Sequence, residues 1–129
     1  MDGSGLTAIR IGSLARDAVA VLAHTFLRFD RPDDAAALLA ALAELEPNST
    51  WARCALCLAL LRAERTEEAL ASAEALLEDM PSGIDRVPVL HIAAKAAWRL
   101  GRSEQARAYF DAARGAASVS VPRGRGDRT

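Results

Sequence analysis

Cys54 and Cys57 form a Cys-x-x-Cys pair. At a strand-to-helix junction such a pair does redox chemistry, and with two further ligands it holds zinc. Neither setting is available here. The pair falls inside a helical run, and only His24 and His91 remain as further ligands. The expected role of both thiols is therefore that of small buried residues in helix packing, with no metal and no cofactor. No glycine-rich phosphate loop, nucleophile elbow or paired-histidine metalloprotease pattern occurs. The acids gather at the starts of helical runs and on exposed faces, where the positive end of a helix accounts for them without catalysis. Arg125-Gly126-Asp127 matches an integrin-recognition tripeptide, which we read as a chance match in an Arg/Gly tail. These absences predict a protein that is not an enzyme.

The element that must position any functional residue is a helical hairpin. From Thr50 to Pro81 apolar residues recur at helical spacing, with Leu56, Leu60 and Leu61 in the first half. The pattern breaks at Ala63-Glu64-Arg65-Thr66 and restarts at Glu67-Glu68-Ala69-Leu70, with Thr66 expected to cap the second half. One hairpin cannot bury its own apolar face, and the chain contains others. Asp30-Arg31-Pro32-Asp33-Asp34-Ala35, Glu64-Arg65-Thr66-Glu67-Glu68-Ala69 and Gly101-Arg102-Ser103-Glu104-Gln105-Ala106 are one motif written repeatedly. Ala35 to Ala69 and Pro47 to Pro81 are both 34 positions apart, the tetratricopeptide period. The last copy arrives late, after an insertion at Ser82-Gly83-Ile84-Asp85-Arg86.

Composition agrees with this organisation. The 129 residues make one domain whose apolar content is mostly Ala and Leu, and no segment alternates with period two, so no sheet is expected. A net charge of −1 argues against a nucleic-acid binder that relies on a strongly basic surface. No apolar run reaches membrane-spanning length, and the N-terminus lacks a basic-then-apolar leader, so a cytoplasmic protein without direct membrane insertion is expected.

Taken in order, residues 1–12 are expected to be a flexible N-terminal arm and 13–115 the repeat domain, with hairpins at about 13–46, 50–80 and 86–115. Ser13, Ser49 or Thr50, and Ser103 are the expected caps. Pro32 and Pro88 suit first turns, while Gly101 and Gly115 are expected stops. Residues 116–129, with Arg123, Arg125 and Arg128 against Asp127, are expected to be a disordered basic tail.

The repeats resemble the tetratricopeptide family. Copy one has Ala23, Phe26, Ala35, Leu39 and Pro47; copy two has Cys57, Leu60, Ala69 and Pro81; copy three has Ala94, Gly101, Ala106, Phe110 and Ala113. Leu42, Leu76 and Ala73 depart from the family pattern, as does the missing closing Pro of copy three. The resemblance implies an all-α fold of three tandem tetratricopeptide-like hairpins in a short right-handed superhelical solenoid.

A narrower likeness runs through Ala37-Leu38-Leu39-Ala40-Ala41-Leu42, Leu45-Glu46-Pro47 and Ala52-Arg53-Cys54-Ala55-Leu56-Cys57-Leu58-Ala59-Leu60-Leu61. It resembles the small cytosolic chaperones of bacterial type III secretion, of the YscY type. That implies a chaperone or adaptor that binds a YscX-like export component, or another early secreted subunit, and delivers it to the export gate. A hetero-oligomer is implied, and a homodimer is the alternative. The location would be cytoplasmic or peripheral at the export apparatus. A generic interaction scaffold or self-association domain is the alternative function.

In such solenoids the first helix of each hairpin lines the concave side. Register then places Val21, His24, Leu27 and Arg28 in the partner groove, with Trp51, Cys54, Ala55, Leu58, Leu61 and Arg62 from copy two and His91, Ile92, Lys95, Trp98 and Arg99 from copy three. Leu58, Leu61 and Ile92 are either groove floor or inter-repeat core. Arg28, Arg62 and Arg99 form either a basic recognition edge or a solvated one. Trp51 and Trp98 either anchor a partner or cover a neighbouring repeat. The places used by carboxylate-clamp relatives hold Ala20, His24, Cys54, Leu58, His91 and Lys95, which speaks against a heat-shock cochaperone. The far end of the stack, with an Ala-rich side expected to lie uncovered after Gly115, is a second candidate surface.

Overall fold

The computed structural model describes residues 16–120, with side chains as far as residue 117. Residues 16–28 are the described part of α1. They are followed by α2 (Pro32–Leu45), α3 (Thr50–Arg62), α4 (Thr66–Asp79), α5 (Val87–Arg99) and α6 (Ser103–Ser120). Among the described residues there is no strand, and no helix is long and apolar enough to cross a membrane. The expected arm at 1–12, the Ser13 cap and residues 121–129 of the expected tail lie outside the described residues.

The thrice-written motif has a backbone cause. At the end of α1 the Arg31 N–H donates to the Phe26 carbonyl and the Asp30 N–H to the Leu27 carbonyl; Arg65 and Glu64 do the same to Leu60 and Leu61, and Arg102 and Gly101 to Ala97 and Trp98. This paired closure requires a left-handed residue just past the helix. Asp30 (φ 62°), Glu64 (φ 64°) and Gly101 (φ 79°) supply it. The arginine that follows each of them immediately starts the next helix, because the carbonyls of Arg31, Arg65 and Arg102 accept from Ala35, Ala69 and Ala106. A turn this short forces the two helices to lie antiparallel.

Local signals fare unevenly at the other ends. Ser49 caps α3 as expected, its Oγ accepting from the Ala52 N–H at 3.1 Å, and Pro32 and Pro88 sit in first turns. Thr66 and Ser103 do not cap: each is the first residue inside its helix, because the tight turn has already given the cap position to an arginine. Nor does Gly115 stop α6, which continues to Ser120. One glycine inside a helix costs about 1 kcal/mol relative to Ala, less than abandoning the turns beyond it.

Small residues set the packing. Ala35, Ala52, Ala59, Ala69, Ala73, Ala93, Ala96 and Ala106 are wholly buried, with Leu39, Leu70 and Leu76 between them. Helix axes approach closely where side chains are short. Each helix from α2 onward packs on the next, and α3 also packs on α5. Polar ties link the second helices of successive hairpins. Arg65 stands 3.8 Å from Asp33, and Arg102 stands 3.9 Å from Glu67, one repeat later. Glu74 of α4 accepts from Tyr109 (2.6 Å) and Gln105 (2.7 Å) of α6. The insertion is pinned by Arg86, which donates to the Leu77 carbonyl at the end of α4.

Candidate functional site

Charge is segregated by helix. α2 carries Asp33, Asp34 and Glu44, and α4 carries Glu67, Glu68, Glu74, Glu78 and Asp79, with no base on either. α3 carries Arg53 and Arg62, and α5 carries His91, Lys95 and Arg99, with no acid on either. The near-zero net charge therefore hides an alternation of sign along α2 to α5, while α1 and α6 carry both signs.

The expected groove residues divide three ways. Val21, His24, Arg28, Trp51, Arg62, His91, Lys95, Trp98 and Arg99 are exposed; Leu27, Cys54, Ala55 and Leu58 are half-buried. Leu61 and Ile92 are core, at 3% and 7% exposure, and this corrects their place in the groove. Each lies on the side of its helix that a neighbouring helix covers, the outcome that helical spacing alone leaves open.

Comparing the second and third hairpins shows which side each residue faces. Residues of α3 and α4 that are covered while their counterparts 37 positions on are exposed must lie under the following repeat. Those pairs are Leu61 with Trp98, Leu70 with Arg107, Ala73 with Phe110, and Leu77 with Arg114. The half-buried Cys54 and Leu58 likewise correspond to exposed His91 and Lys95. α5 packs on both α3 and α4 and provides that cover. At the far end the same places look outward, so His91, Lys95 and Trp98 belong with Arg107, Phe110 and Arg114 on the end of the stack. Here the expectation of an Ala-rich end is corrected: its centre is aromatic and its rim basic.

Trp98 is 64% exposed and Phe110 39%. Lys95, Trp98, Arg99 and Phe110 line a hollow of about 270 Å³. His91 lies against Phe110, ring centres 6.4 Å apart. Phe110 was visible in the sequence as the bulky residue standing where copy two has Ala73, but nothing local says that this place is uncovered.

The expected arginine edge is partly assembled. Arg62 and Arg99 border one hollow of about 540 Å³ together with Leu27, Asp30, Pro32, Glu64 and Thr66; Arg28 is exposed but not among its walls. Arg99 also donates to the Leu61 carbonyl at 3.2 Å, which closes the end of α3 and fixes the guanidinium. A larger hollow of about 750 Å³ opens between α2 and α4, floored by Leu56 and Leu76 and crossed by the Arg53–Asp79 ion pair at 3.0 Å.

Cys57 is wholly buried, and burial followed by the neighbouring Cys54 pushes its thiol up to about 12. Burial also raises Cys54. Both remain free, and no group of three or more His, Cys, Asp or Glu among the described residues could hold a metal ion.

No protein-family model and no curated protein matches the chain. A solved structure titled "MamA MSR-1 C2" does match, with a TM-score of 0.71 at 23% identity, over 93% of this chain and 73% of that one. The fold is a tetratricopeptide-type helical-repeat solenoid. At that identity the likeness carries the architecture alone.

Proposed function

We propose that the chain is a non-enzymatic tetratricopeptide-type adaptor that binds a protein partner through the basic side of its first helices. Within that class we propose a chaperone of a bacterial type III secretion system, escorting a YscX-like export component to the export gate. The observation that carries the adaptor reading is that α3 and α5 hold no acid, bring Arg62 and Arg99 to one hollow, and leave Trp51 exposed at the start of α3. Trp and Arg are enriched among the energetic hot spots of protein interfaces. The secretion assignment is supported by the likeness of residues 37–61 to YscY-type chaperones. Binding would bury the partner's apolar segment, with Arg62 and Arg99 setting its orientation, and no covalent step would follow.

Co-expression with a YscX-like protein tests both levels. A soluble complex, lost or weakened roughly 10-fold when Trp51 and Arg62 are both changed to Ala, is the expected result. If the chain retains no export component but does retain another protein, the reading reduces to a general interaction scaffold. If it retains none at any concentration, the adaptor reading fails.

A further inference from the structure

At the end of the stack the repeat symmetry defines a place that no described helix fills, the one that a further first-type helix would occupy. α5 fills the equivalent place on α3 and α4, covering Leu61, Leu70, Ala73 and Leu77. The corresponding surface on α5 and α6 is Trp98, Arg107, Phe110 and Arg114, all exposed. We propose that this surface is a seat for an amphipathic helix of a protein partner, small and apolar along its centre and acidic along both flanks, which docks as a seventh helix. The proposal deepens the adaptor reading and rests on it for the partner being a protein.

Shape argues for a helix. The seat is the one this fold already fills internally with α5, a helix of 13 residues. Trp98 and Phe110 are larger than the Leu61 and Ala73 whose places they hold, so the guest must present Ala or Gly opposite them for its axis to come close. A terminal helix that simply solvates a solenoid needs a polar outer face. Arg107, Asp111 and Arg114 provide one, but a 64%-exposed Trp98 at its centre goes against that purpose. Large aromatics ringed by cations are what a desolvated anchor site looks like.

Charge selects the occupant. Lys95, Arg99, Arg107 and Arg114 surround the aromatic pair; Glu104 and Asp111 are the acids on the same face of α6, and Asp111 is already bonded to Arg114. No described carboxylate lies within ion-pair distance of Lys95 or Arg107. The chain's own tail, with Arg123, Arg125 and Arg128 against Asp127, has the wrong sign. A second copy fits poorly, because the acidic helices α2 and α4 spend their apolar faces in their own core, at Leu39, Leu70 and Leu76. An acidic helix from another protein satisfies both the shape and the charge.

The test uses the full chain carrying Trp51→Phe, so that Trp98 alone reports. It is titrated with an 18-residue helical peptide bearing an Ala/Leu stripe flanked by Glu, and with the same stripe flanked by Lys (probe length chosen at roughly one α5 plus a turn). The expected result is a saturable blue shift of Trp98 emission with the Glu peptide and none with the Lys peptide. By peptide anisotropy, Lys95→Glu combined with Arg107→Glu weakens binding about 10-fold or more while helix content is unchanged. Equal binding of the two peptides, no saturable binding, or unchanged affinity in the double variant overturns the seat. A blue shift that grows with protein concentration alone, with dimers in sedimentation, assigns the seat to a second copy and also overturns it. A co-purified partner that survives Lys95→Glu with Arg107→Glu but is lost with Trp51→Ala leaves the adaptor reading standing and the seat refuted.

Discussion

Glu74 makes the shortest tie between side chains of the second and third hairpins, and its removal should weaken their packing. One of its oxygens, Oε2, accepts from the Tyr109 phenol at 2.6 Å and from the Gln105 amide at 2.7 Å. A hydrogen bond to a charged acceptor contributes roughly 1.5–3 kcal/mol when desolvated, and the half-exposed setting lowers this to about 1 kcal/mol for the phenol. For a chain of this size that corresponds to a fall in Tm of about 3–5 °C on Tyr109→Phe.

The assay is a double-mutant cycle of Glu74→Ala and Tyr109→Phe by urea unfolding followed by circular dichroism. The expected coupling is about 1 kcal/mol. Alkaline pH gives an independent reading. Burial, and next the Glu74 carboxylate, push the Tyr109 phenol from 10.0 up to about 12. The folded chain therefore favours the neutral phenol. That contribution to stability is complete below the unfolded value near 10 and is lost as pH rises towards 12. The stability advantage of wild type over Tyr109→Phe should shrink across that interval. A coupling below about 0.3 kcal/mol, or an advantage that stays flat from neutral pH upward, refutes the tie.

Two further outcomes follow from the turns and the thiols. A Cβ at Gly101 would meet nothing within 4 Å, so Gly101→Ala isolates the backbone cost of φ 79°. Left-handed geometry costs an L-residue about 1–2 kcal/mol, offset by about 0.4–1 in the unfolded chain, so urea unfolding should show a loss of about 0.5–1 kcal/mol, with Glu64→Gly shifting stability the opposite way. With its thiol up at about 12, Cys57 should resist a thiol-labelling reagent at pH 8 until the chain unfolds, and Cys54 should react slowly; prompt native labelling of both would contradict the packing of α3.

Much of the fold was legible because its signals are local. Ser49, Pro32, Pro88 and Gly101 act within a turn of themselves, and each does in the structure what its type predicts. The misread ends at Thr66, Ser103 and Gly115 share a cause. A cap or a stop competes with the geometry of the connection, and here the three-residue turn or the continuing helix wins. The candidate site was legible by residue type but not by side. Leu61, Ile92 and Trp98 are all apolar positions at helical spacing, yet the first two are core and the last is open.

The amino-acid sequence on its own determined the repeat, its period and the helix-turn-helix unit, since periodicity and turn chemistry depend only on neighbours along the chain. Tertiary structure decided which apolar positions are covered. Leu61 and Trp98 hold the same place in their hairpins, and what separates them is that α5 packs over one while no described helix follows α6 to pack over the other. Burial is a property of the next element in space, which no single repeat encodes.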